Sequence, residues 1–135
     1  MQFGNFPDGL YLVRQPSCQK SGIYHYAVLD VGNQLRLNRV DLAEPVLIHQ
    51  TPPNIRATRF RGTGLWEVLD VARDDQGLAR FQQAVQDPTY AFLWHNCEQF
   101  ARFVVTGVFE SKQLQAAVTI VAFSALLIAA TRNAA

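Results

Sequence analysis

The sequence predicts an α+β fold: a small antiparallel sheet with a helix packed across it and a hydrophobic C-terminal helix projecting from the core. Three observations predict it. Between residues 9 and 61, short runs rich in β-branched and aromatic residues recur between turn signals. Between 74 and 107, apolar residues fall at helical spacing. Residues 113–131 carry no charge and are rich in Ala, Val, Leu and Ile.

In chain order, residues 9–14 read as a short strand and 23–31 as a stronger one. Gly32-Asn33 makes a turn. Residues 34–40 alternate Leu35 and Leu37 with polar neighbours and read as a third strand. Residues 45–50 are an apolar run ended by Thr51-Pro52-Pro53, and 55–61 alternate again before Gly62-Thr63-Gly64. Together they predict a meandering antiparallel sheet. Arg56, Arg59 and Arg61 beside Phe60 suit a solvated edge strand that resists aggregation, or else contact with anionic headgroups.

Asp74-Asp75 supplies helix-start chemistry, after which Leu78, Phe81, Ala84 and Val85 follow helical spacing until Asp87-Pro88. A second helix begins near Asn96, carries Phe100, Phe103 and Val104 on one face, and ends at a Gly107 C-cap. As a helix at about 1.5 Å per residue, 113–131 would reach roughly the 30 Å of a bilayer's hydrocarbon core. The chain thus divides into a body, residues 1–110, and a hydrophobic helix, residues 111–135, read as a membrane anchor. The alanines at 116, 117, 122, 125, 129 and 130 also suit close helix packing, as in an oligomer seam.

A chain of 135 residues suits one domain. A net charge of +1 gives no reason to expect a nucleic-acid partner. Cys18 and Cys97 make neither a disulfide framework nor a metal-ligand cluster, and nothing implies a cofactor. The N-terminus lacks the basic start and apolar run of a secretory signal, so the body is expected in the cytoplasm, held at a membrane by the C-terminal helix.

Chemistry concentrates at His95-Asn96-Cys97-Glu98-Gln99-Phe100. Asn96 followed by Gln99 is a variant capping box, which places Cys97 in the first helical turn. The helix dipole and unpaired amides there favour the thiolate, and the same amides suit an oxyanion. Glu98 in that turn complements the dipole. A thiol nucleophile needs a base, and the histidines are His25, His49 and His95. Strand alternation sets His25 on an apolar face with Ile23, Ala27, Leu29 and Val31, which makes it the candidate base. His49, at the end of Val46-Leu47-Ile48-His49, would orient that ring, share its proton, or cap the strand end. His95 stands just before the helix start, where its side chain is expected to point elsewhere.

These motifs resemble the lecithin retinol acyltransferase-like branch of the NlpC-type permuted papain superfamily. The resemblance rests on His25-Tyr26-Ala27-Val28-Leu29-Asp30-Val31-Gly32, on Val46-Leu47-Ile48-His49, and on Asn96-Cys97-Glu98 followed by Phe100. It spans roughly residues 8–107. Many members carry His where this chain has Gln99, and residues 32–45 form a longer interval than usual between the two histidines. The resemblance implies a permuted papain-like fold with Cys97 as acyl-accepting thiol, His25 as base and His49 as orienting residue. The expected activity is an acyl hydrolase or acyltransferase on a lipid acyl ester. The alternatives are a peptidase or amidase using the same thiol-imidazole pair, and a non-catalytic scaffold or membrane-acting module.

Overall fold

The computed structural model describes residues 6–16, 24–39, 41–51, 54–60, 66–86, 97–108 and 125–127. The fold is α+β. Five antiparallel strands, β1 (Gly9–Pro16), β2 (Tyr24–Val31), β3 (Val46–Thr51), β4 (Asn54–Arg59) and β5 (Glu67–Val71), lie in the order β4-β3-β2-β1-β5. Among the described residues, helices α1 (Gly77–Gln86) and α2 (Cys97–Thr106) follow them.

The first four strands form the predicted meander, and β5 crosses back to pair with β1. Sequence reading missed β5, and its pairing explains why. The register shifts between Leu12 and Val13, so Leu69 bulges out of the ladder and the apolar alternation breaks. Both faces of the sheet are covered. Leu10, Leu12, Tyr26, Val28 and Ile48 pack against Phe100, Ala101, Val104 and Val105 of α2. On the opposite face Val13, Ala27, Leu29, Val31 and Leu47 pack with Phe60, Phe6 and Trp66.

The strand expected at 34–40 does not form in the described part of that segment. Asp30, wholly buried, accepts the Gln34 and Leu35 amides at 2.7 and 3.0 Å, and Asn33 exchanges two hydrogen bonds with Leu37. Side chains therefore satisfy the backbone groups that a ladder would have used. Asn33 and Arg36 adopt left-handed φ near 52°, which is incompatible with an extended strand. The Leu35 and Leu37 alternation recorded burial in the core under α2 instead.

Helix α2 ends as predicted. Gly107 has φ 78° and donates its N–H to the Phe103 carbonyl at 2.9 Å. Arg80 of α1 adds to this, donating from Nε and Nη2 to the Val104 and Val105 carbonyls at 3.0 and 3.1 Å while Nη1 and Nη2 also grip Asp74. One guanidinium thus joins the start of α1 to the tail of α2.

Most of the C-terminal stretch expected to be a membrane-spanning helix lies outside the described residues. Ala125, Leu126 and Leu127 are helical and exposed. Among the described residues no helix is long and apolar enough to cross a membrane.

Candidate active site

The site lies where β2 and β3 part. Their ladder runs only from Asp30↔Val46 to Val28↔Ile48. Beyond it, β2 stays paired with β1 as far as Tyr24, and β3 stays paired with β4 as far as Thr51. The sheet therefore forks after Val28, and the backbone groups of Tyr26 need another partner. Cys97 supplies one. As the first residue of α2, it places its sulfur 3.4 Å from the Tyr26 amide nitrogen, which donates to it.

That amide belongs to the peptide joining His25 to Tyr26. By backbone bond lengths the His25 Cα is therefore within about 6 Å of the sulfur. Alternation sets the His25 ring on the face of Ala27 and Leu29, as expected from sequence, whereas α2 covers the other face with Tyr26 and Val28. Thiol and imidazole reach the fork from opposite sides of the sheet. Among the described residues the sulfur takes a hydrogen bond from the Tyr26 amide and none from the His25 ring.

His25 and His49 come together across the fork. His25 Nε2 and His49 Nδ1 are 2.7 Å apart. Ring centroids 5.0 Å apart, with planes 11° from parallel, leave one ring radius on each side of that bond. The rings therefore meet edge to edge in nearly one plane. Trp66 leans across both at 6.0 and 6.1 Å, inclined 58° to each. His49 Nε2 in turn lies 2.7 Å from Thr58 Oγ1 on the edge strand β4. Sequence reading missed Thr58 and Trp66. The signal for Thr58 was present in the β3–β4 register, which pairs Leu47, two residues before His49, with Thr58 and so puts the hydroxyl on the histidine's face.

Electrostatics hold the site neutral. Burial pushes the Cys97 thiol above its ordinary value, outweighing the amides of Tyr26, Glu98 and Cys97 that pull it down. The thiolate expected from the helix start is thus not the favoured resting form. Burial also lowers His25. It lowers His49 further, to about 4, with repulsion from a charged His25 adding to the effect.

Glu98 does more than complement the dipole. It is wholly buried and takes the Arg102 Nε–H at 2.9 Å, one turn along α2. The Arg102 guanidinium also stands 5.8 Å from the Tyr26 ring centroid. The pair locks the first turn of α2 against the strand that meets the sulfur.

Asn96 and His95, and with Asn96 the expected capping box, lie outside the described residues, as do Arg61 and Cys18. Arg59 is on the exposed edge strand β4 and pairs with Glu44 at 3.4 Å. A cleft of about 350 Å³ between β5 and the tail of α2 is lined by Arg102, Asp70 and Val105 among others, but not by Cys97, His25 or His49. Among the described residues no group of three His, Cys, Asp or Glu side chains is placed to hold a metal ion. No family model matches the chain, and no match to it is found among curated proteins or solved structures.

Proposed function

We propose that the chain is a thiol-dependent acyl hydrolase or acyltransferase of permuted papain-like fold, acting on a lipid acyl ester through a Cys97 acyl-thioester. One observation carries the reading. The sulfur at the head of α2 sits at a fork in the sheet within about 6 Å of the His25 Cα, and the His25 ring begins a hydrogen-bonded chain through His49 to Thr58. The resemblance of the His25, His49 and Asn96-Cys97-Glu98 motifs to the lecithin retinol acyltransferase-like branch supports it further.

In this mechanism thiol and imidazole rest uncharged. His25 Nδ1, the nitrogen not engaged by His49, takes the thiol proton as the sulfur attacks the ester carbonyl. Amides at the head of α2 stabilise the oxyanion. Collapse of the tetrahedral intermediate expels the alcohol, which leaves with the proton from His25. Water, or an amine or hydroxyl acceptor, then attacks the thioester with His25 again as base. Residues 113–131 would hold the site at a membrane surface, where a lipid substrate is concentrated.

The test is incubation with phospholipid and mass detection of released fatty acid, beside covalent labelling by an acyl-substrate mimic. Cys97→Ala should abolish both; retained labelling removes the reading. Labelling without fatty-acid release would instead favour a peptidase or amidase. The non-catalytic alternative draws on the amide hydrogen bond to the sulfur, and absent labelling of the wild-type chain would favour it.

A further inference from the structure

We propose that Thr58 is a positioning residue that sets the tautomer of His25 through His49. The inference rests on reading His25 as the base, and follows from counting protons along the chain Thr58 Oγ1, His49 Nε2, His49 Nδ1, His25 Nε2. A neutral imidazole carries one N–H and one bare nitrogen. Two hydrogen bonds joining two neutral rings and a hydroxyl therefore admit two proton arrangements, of opposite polarity.

In the first, His25 donates from Nε2 to His49 Nδ1, and His49 donates from Nε2 to the Thr58 oxygen. His25 Nδ1 is then bare and can accept a proton. In the second, the Thr58 hydroxyl donates to His49 Nε2, His49 donates from Nδ1 to His25 Nε2, and the proton of His25 sits on Nδ1. That ring cannot take a proton from a thiol at Nδ1. The two arrangements differ at one end only in whether Thr58 accepts or donates.

The role of His25 as base selects the first, and the position of Thr58 permits it. Thr58 is exposed on the outermost strand β4, so its hydroxyl hydrogen can point to water while its lone pairs accept from His49. The two rings are half-buried and walled by Trp66, and their inner bond keeps one donor and one acceptor in either arrangement. The first arrangement also serves after proton transfer, because a doubly protonated His25 still donates from Nε2 to the bare His49 Nδ1. A hydroxyl on a solvated edge strand thus prepares a base on the central strand without touching it.

The full-length chain, labelled with ¹⁵N at histidine, is read by long-range ¹H–¹⁵N correlation spectra, which distinguish an Nε2–H from an Nδ1–H ring. Wild type and Thr58→Ser, which keeps the hydroxyl, should show His25 protonated at Nε2. Thr58→Val keeps the β-branched shape that suits a strand but removes the acceptor. His25 should then shift toward the Nδ1–H form, with Cys97 labelling slowed by about two- to twelvefold, the factor one ordinary hydrogen bond carries. An Nδ1–H ring in the wild type, or an unchanged Nε2–H ring in folded Thr58→Val, overturns the proposal. A shifted tautomer with unaltered labelling supports control by Thr58 and refutes the role of His25 as base.

Discussion

Arg102→Ala should be among the most damaging substitutions in the molecule. Glu98 has no exposure and the Arg102 side chain only 16%, with 2.9 Å between Oε1 and Nε. Shortening the arginine takes one charged partner from a carboxylate where water does not reach. Breaking a buried pair in this way costs about 3–5 kcal/mol, against roughly 5–15 kcal/mol for a whole domain. For a chain of this size that is a fall in Tm of about 10–20 °C. Removing both charges while keeping the volume, as in Glu98→Leu with Arg102→Met, removes the buried carboxylate together with its cation and should recover part of the loss. Thermal and urea unfolding of the wild type, both single variants and the double variant gives the coupling between the two positions. A loss below about 1 kcal/mol for Arg102→Ala, or single effects that simply add, would show that the pair is not the lock described. Added salt should barely change the result, since the pair is shielded from ions.

Two further outcomes follow from the same structure. His49 titrates near 4 in the fold against an ordinary 6.5, so the stability it contributes as a neutral ring is complete above about 6.5 and is lost as pH falls from there toward 4. Urea unfolding at pH 7.5 and 4.5 should show a larger acid loss for wild type than for His49→Asn; equal losses would contradict the burial of that ring. Gly32 has φ 83° and an added Cβ would run into the Asp8 carboxyl, so Gly32→Ala should cost about 1–2 kcal/mol for the left-handed conformation alone, and more for the clash. At Gly107, φ 78°, an added Cβ meets only ordinary contacts with Arg80, so a Gly107→Ala loss as large as that at Gly32 would refute the difference in crowding.

Much of the fold was legible because its periodicities are local. The strand at Tyr24–Val31 and the helix at Cys97–Thr106 announce themselves by alternation, helical spacing and a closing glycine. The strand predicted at 34–40 does not form over its described residues, 34–39, because alternating leucines report which side chains are buried, while Asp30 and Asn33 decide the backbone. β5 was hidden by its bulge at Leu69. Within the site, the meeting of His25 with His49 was legible from two strand ends, whereas the resting state of the thiol was not, since burial of Cys97 depends on elements remote in sequence. The Glu98–Arg102 lock was open to reading from its four-residue spacing. Thr58 required the β3–β4 register, which composition does not give.

Helix α2 is fastened at its tail by Arg80 and Gly107 and at its head by Glu98 and the Tyr26 amide. It therefore acts as a ruler of fixed length between two anchor points. One residue inserted between Cys97 and Thr106 would advance the sulfur by about 1.5 Å and swing it by about 100° around the helix axis. Either the tail lets go of the guanidinium or the sulfur leaves the fork, so natural or engineered variation in length is expected in the loops on either side of this helix and not within it.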